Sequence, residues 1–206
     1  MLQNRIDPYG SIIRTSARGA WTGNRGIIHD QSKQIKYDFK LKAWITCVLQ
    51  YKGKKRQVMS PNTWTELFFL DEATAFSAGH RPCFFCRYKE AMNFKHYWLI
   101  GNPQYGFTDK VSINEIDKIL HQERLTTTKQ KKTHTAGIDT LPNGTFISME
   151  HVAYLVKDLL LHVWSPFGYV NTIERPTSGE MTVLTPPSIV SAFRAGYIPH
   201  MNGDIT

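Results

Sequence analysis

The chain has 206 residues, 41% of them hydrophobic, which suffices for one domain with a buried core, and nowhere has about twenty uninterrupted apolar residues. Lys and Arg outnumber Asp and Glu by 25 to 17, and the net charge of +8 biases encounter toward polyanions such as nucleic acid. The N-terminus, MLQNRIDPYG, lacks the basic stretch and apolar run of a signal peptide, and three cysteines are an odd count, so a soluble cytoplasmic protein with reduced thiols and no membrane association is expected.

The first forty residues carry Asp7-Pro8, Gly10, Gly19 and the run GNRG at 23–26, which predict loops and short strands whose backbone can approach a ligand closely. Residues 43–59, with AWITCVLQY, the turn KGKK and RQVMS, read as a hairpin, and TELFFL as a further strand. Asp71 stands at an N-cap position, Glu72 in the first turn and Gly79 just past the end of a short helix, EATAFSA. A second helix is expected from Phe84 to about Trp98, and SINE at 112–115 is a capping-box pattern that opens a third, ending by Leu125. TTTKQKKTHTAG lacks apolar periodicity and reads as an exposed basic loop. Strand character returns over residues 144–164, then MTVL precedes a short helix, SIVSAFRA, closed by Gly196 and Pro199.

AFSAGHRPC at 75–83 echoes AFRAGYIPH at 192–200 at identical spacing, and VMSP at 58–61 echoes VWSP at 163–166. The expected fold is therefore α+β, a single domain over 1–206. It comprises two related β-β-β-α halves, 43–83 and 144–200, with inserted helices at 84–125. Where the first copy has Cys83 the second has His200, both metal-competent side chains.

Cys83 and Cys86 form a C-x-x-C knuckle, which lets two thiolates grip one zinc from a tight turn but supplies only half of a tetrahedral shell. Cys47, His29, His80 or His200 would complete it. Burial of the thiols as small hydrophobes is an alternative, and redox use a third; Pro82 and the intervening Phe84-Phe85 differ from the usual thioredoxin-type placement.

With Gly79, Arg81, Pro82, Cys83 and Cys86 at this spacing, residues 72–87 resemble the second half of the zinc-binding domain of Ada-type DNA alkylation-repair proteins. The resemblance implies a zinc knuckle. The earlier ligand pair of that family has no counterpart in GKKRQVMSPNTWTELFF, so its four-cysteine site and its methyl-accepting chemistry do not carry over. Over its whole length, with ARGAWTGNRG, TELFFLDEATAFSAGHRPC and VLTPPSIVSAFRAGYIP, the chain resembles a family of bacterial proteins, which implies a shape and little chemistry.

Basic residues cluster at Lys52, Lys54, Lys55 and Arg56, around the knuckle at Arg81, Arg87 and Lys89, and at Lys129, Lys131 and Lys132. Such patches bind backbone phosphates, and aromatics such as Trp64 and Tyr88 can stack on exposed bases. The leading expectation is a nucleic-acid-binding protein, DNA ahead of RNA, with Arg25, Lys54, Lys55, Arg56, Arg81 and Arg87 on phosphate. Zinc would sit at Cys83 and Cys86 with Cys47 or His200. The alternative is a metal-dependent enzyme for a small anionic or nucleotide substrate, with Arg25, His29 and Asp30 on the glycine loop and His29-Asp30 as an acid-base pair. That alternative requires a concave pocket joining residues near 25 with the knuckle.

Overall fold

The computed structural model describes residues 1–53 and 57–202. It is an α+β structure with two six-stranded sheets. Strands β1 (Gln3–Ile6), β2 (Ile12–Arg14), β3 (Trp21–Asn24), β4 (Ile45–Cys47) and β5 (Leu67–Phe69) precede helix α1 (Glu72–Ser77) and the two-residue strand β6 (Arg81–Pro82). Helices α2 (Tyr88–Gly101) and α3 (Ile113–Arg124) follow. The chain then runs through β7 (His134–Gly137), β8 (Phe146–Met149), β9 (Val152–Lys157), β10 (Leu160–Ser165), β11 (Gly168–Glu174) and β12 (Glu180–Val183) to helix α4 (Pro187–Arg194). Among the described residues no helix is long and apolar enough to cross a membrane.

The first sheet has the order β2-β1-β5-β3-β4-β6 and the second β11-β10-β9-β8-β12-β7. Every pairing in the second is antiparallel, whereas β1 with β5 and β4 with β6 are parallel in the first. The two halves therefore differ in strand connectivity. What they share is the helix end: Gly79 and Gly196 both have positive φ (83° and 122°), and in each the glycine N–H bonds back to a phenylalanine carbonyl, of Phe76 and Phe193. The echo in sequence corresponds to this common cap.

Of the hairpin expected over 43–59, the turn runs into residues outside those described, and β4 pairs with β3 on one side and with β6 on the other. Lys54, Lys55 and Arg56 lie outside the described residues. The basic segment after α3 is also more ordered than its composition predicts: Leu125 bridges to Lys131, the Lys131 amine donates to the Ser77 carbonyl, and HTAG becomes β7.

Around α1 the core joins the two sheets to the helices. Phe76 packs with Phe94, Trp98, Ile116, Leu120, Ile189 and Phe193, while Ala75 and Ala78 face Leu67, Phe69 and Ile28, and Ala73 faces Phe146 and Leu155. Alanines on two sides of α1 let both sheets approach it, while Phe76 on the third reaches into the helical layer.

Candidate metal centre and cavity

The site is assembled on the parallel pair of β4 and β6. Ile45 lies beside Arg81 and Thr46 beside Pro82, so the chain leaving β6 runs next to the end of β4. The Cys83 N–H donates to the Thr46 carbonyl at 2.9 Å, which sets Cys83 beside Cys47. The turn then continues with the Phe85 N–H pointing at Cys83 Sγ (3.3 Å) and the Arg87 N–H on the Cys83 carbonyl (3.0 Å), which curls Cys86 back over the same spot. As a result the sulfur atoms of Cys47, Cys83 and Cys86 all lie within 4.8 Å of one another. Tetrahedral zinc with bonds of about 2.3 Å needs sulfurs about 3.8 Å apart, which falls inside this limit.

The electrostatics favour a cation. Hydrogen bonds from Cys47 and then from Cys86 hold the Cys83 thiol down to about 2, and the contacts with Cys83 and Cys86 push the Cys47 thiol far up. Three sulfurs so crowded share their protons through hydrogen bonds, and a divalent ion bound there would displace them. Soft thiolates suit zinc.

Two buried arginines clamp the knuckle from either side. Arg81 makes a two-point contact with Asp117 of α3 (2.9 and 2.6 Å), and Arg87 pairs with Glu72 of α1 at 2.6 Å while lying 3.9 Å over the Trp21 ring. Arg87 also donates to the Thr46 hydroxyl at 3.0 Å. Both guanidinium groups are buried, 4% and 3% exposed, so the expectation that they meet phosphate gives way to a positioning role. Arg25 is likewise inside: it lies 3.8 Å over the Trp44 ring, donating to the Gly10 carbonyl (2.9 Å) and to His80 Nε2 (3.3 Å).

The histidine candidates do not join the thiols. His29 is buried, with Nε2 3.2 Å from the Ser60 carbonyl and Nδ1 2.6 Å from the Thr65 hydroxyl. A carbonyl can only accept, so Nε2 carries the proton and Nδ1 takes the one from Thr65. Asp30 caps its own turn by accepting from the Gln34 N–H (2.9 Å) and pairs with Lys36 (3.1 Å). The two residues thus hold the loop together, each through partners of its own. His80 is buried between Phe69 and Trp44. His200 is exposed, packs edge-on to Trp21, and uses its backbone to tie the C-terminal segment to the start of α1. Among the described residues, the cluster consists of the three cysteines.

Comparison with protein-family models, with curated proteins and with solved structures found no match.

The thiols open onto a cavity of about 730 Å³. Its walls include Thr22, Gly23 and Asn24 of the glycine-rich segment together with Cys47, Cys83 and Cys86, but not Arg25, His29 or Asp30, on which the alternative sequence reading placed its chemistry. Gly23 is needed there: a Cβ at this position would sit 2.0 Å from the Ile45 carbonyl, where β3 and β4 press together behind the cavity. Much of the remaining wall is apolar or aromatic, including Val48, Tyr51, Trp64, Phe68 and Phe85. Glu66 lines it too, anchored by the Met59 N–H on Oε2 at 2.7 Å. Sequence reasoning missed Glu66 and Phe68. The signal was the alternation in ELFFL, which buries Leu67 and Phe69 and turns the intervening Glu66 and Phe68 the other way.

Proposed function

We propose that this is a zinc protein whose three-thiolate centre acts on a small molecule held in the adjoining cavity, as in a metal-dependent enzyme. The observation that carries the proposal is that Cys47, Cys83 and Cys86 come together and line one cavity with residues 22–24. A structural zinc normally takes four protein ligands, and three with an open position is the pattern of catalytic sites. A zinc ion so bound supplies Lewis acidity toward a carbonyl or similar group. Glu66 is the carboxylate in the cavity wall, in place to accept or return a proton. The Arg81 and Arg87 clamps fix the sulfurs and thereby the geometry of the centre. The likeness of residues 72–87 to the Ada-type knuckle supports metal at Cys83 and Cys86.

The nucleic-acid reading retains the net charge of +8 and the Lys54, Lys55 and Arg56 run, but Arg25, Arg81 and Arg87 are engaged inside the fold. The geometry favours the small-molecule reading. Thermal unfolding of chelator-treated protein tests it: added zinc should raise Tm by several degrees in the wild type and not in Cys86→Ser, because a ligand that binds only the folded state stabilises it. Identical melting with and without zinc in the wild type sinks the proposal.

A further inference from the structure

We infer that the chain leaves the fourth position of the metal centre open and that the cavity fills it with a ring nitrogen of a small, uncharged aromatic heterocycle. The inference rests on the reading of Cys47, Cys83 and Cys86 as the metal ligands, and it names what that site binds. Three observations point to this class of ligand.

The first is the donor set. Among the described residues no histidine or carboxylate stands with the three sulfurs, and all three cysteines line the cavity. Because all three cysteines line the cavity, a ligand for the remaining position of a tetrahedral ion held by them would reach it from there.

The second is charge. Three thiolates on a divalent ion leave the centre at −1, and a carboxylate or thiolate as fourth donor would bring it to −2 beside the carboxylate of Glu66, against one lining cation, Lys52, among the described residues. In an apolar enclosure that accumulation is costly, so a neutral donor is preferred. Ring nitrogens of the azole type are neutral, and imidazole-type nitrogens suit zinc.

The third is the wall. Tyr51 and Phe85 stand 5.1 Å apart between ring centroids and, with Trp64 and Phe68, give the cavity aromatic surfaces suited to a flat ring. Gln50 and Glu66 add an amide and a carboxylate, which suit a ligand carrying an N–H on its opposite edge. A cavity of about 730 Å³ is within the usual range for small-molecule sites and has room for a fused two-ring compound.

Cobalt substitution separates this inference from the reading beneath it. Chelator-treated protein reloaded with Co(II) should show the near-ultraviolet charge-transfer band of cobalt–thiolate bonds and the visible bands of tetrahedral cobalt, with the charge-transfer band lost in Cys83→Ser. Absence of that band in the wild type overturns both the metal reading and the inference. With the band present, imidazole and benzimidazole are titrated in. Both should shift the visible bands saturably without loss of the charge-transfer band. Benzimidazole should bind about tenfold more tightly because its second ring buries more apolar surface. Phe85→Ala should remove most of that advantage while imidazole still binds. Visible bands that neither azole moves mean that the chain closes the fourth position itself, which overturns the inference and leaves the metal reading standing. The class of ligand is wrong if acetate or 2-mercaptoethanol binds as tightly as benzimidazole, if the second ring confers no advantage, or if the azoles strip the cobalt.

Discussion

The Thr46 hydroxyl accepts a hydrogen bond from Arg87 at 3.0 Å, joining the residue before Cys47 to the residue after Cys86. The Thr46 carbonyl accepts the Cys83 N–H as well, so this one residue holds the knuckle against β4 at two points. Cys47 is brought beside Cys83 and Cys86 because its neighbour is bonded in this way. Replacement Thr46→Val keeps the shape and removes the hydroxyl, leaving a buried guanidinium N–H without its acceptor. The expected loss is about 1–3 kcal/mol of folding stability in urea titrations, together with weaker zinc binding. Unchanged zinc affinity would show that the knuckle holds its place without this tie.

Glu72 is the second anchor of Arg87, and it also accepts from the Tyr197 hydroxyl (3.1 Å) and from the His200 N–H (2.9 Å). In Glu72→Ala the Arg87 charge remains buried with no carboxylate, a loss of about 3–5 kcal/mol. Adding Arg87→Met to the same chain removes the stranded charge and should recover part of the loss, which a comparison of urea midpoints reads directly. A double variant no more stable than Glu72→Ala would mean that the pair matters through something other than charge.

Acid should weaken the fold through His80. Burial, reinforced by the Arg25 and Arg124 cations, holds its pKa well below the ordinary value near 6.5. Above that ordinary value both folded and unfolded chains keep His80 neutral, and it contributes no pH dependence. Below it the unfolded chain takes up a proton that the folded chain refuses, so stability falls as pH falls, by at most about 1.4 kcal/mol per pH unit. Urea midpoints of metal-free protein at pH 7 and pH 5.5 should therefore differ more in the wild type than in His80→Gln. Equal differences in the two proteins would remove His80 from the account.

The parts of this structure that were legible in the sequence are those set by neighbours in the chain. Asp71 does cap α1, accepting from the Thr74 N–H at 2.7 Å, and Ser112 caps α3 through the Asn114 N–H, because each cap needs only residues two or three positions away. Gly79 and Gly196 end their helices for the same local reason. What depends on distant partners was not legible. Cys47 was one of four residues offered to complete the knuckle, and its selection over His29, His80 and His200 is made by the parallel pairing of β4 with β6, which has no local marker. Arg81 and Arg87 look like surface cations beside a turn until Asp117 and Glu72, 36 and 15 residues away, are seen to bury them. The cavity exists because β3, β4 and β5 lie side by side, and only the alternation around Glu66 and Phe68 hinted at its wall.

The central claim is that three cysteines from two separate parts of the chain hold one metal ion. Its most direct test is the zinc content of protein purified without chelator, measured for the wild type, Cys47→Ser and His200→Ala. The account predicts close to one zinc per chain in the wild type and in His200→Ala, and little in Cys47→Ser. A wild type without metal, or a Cys47→Ser protein that retains its zinc, would contradict it.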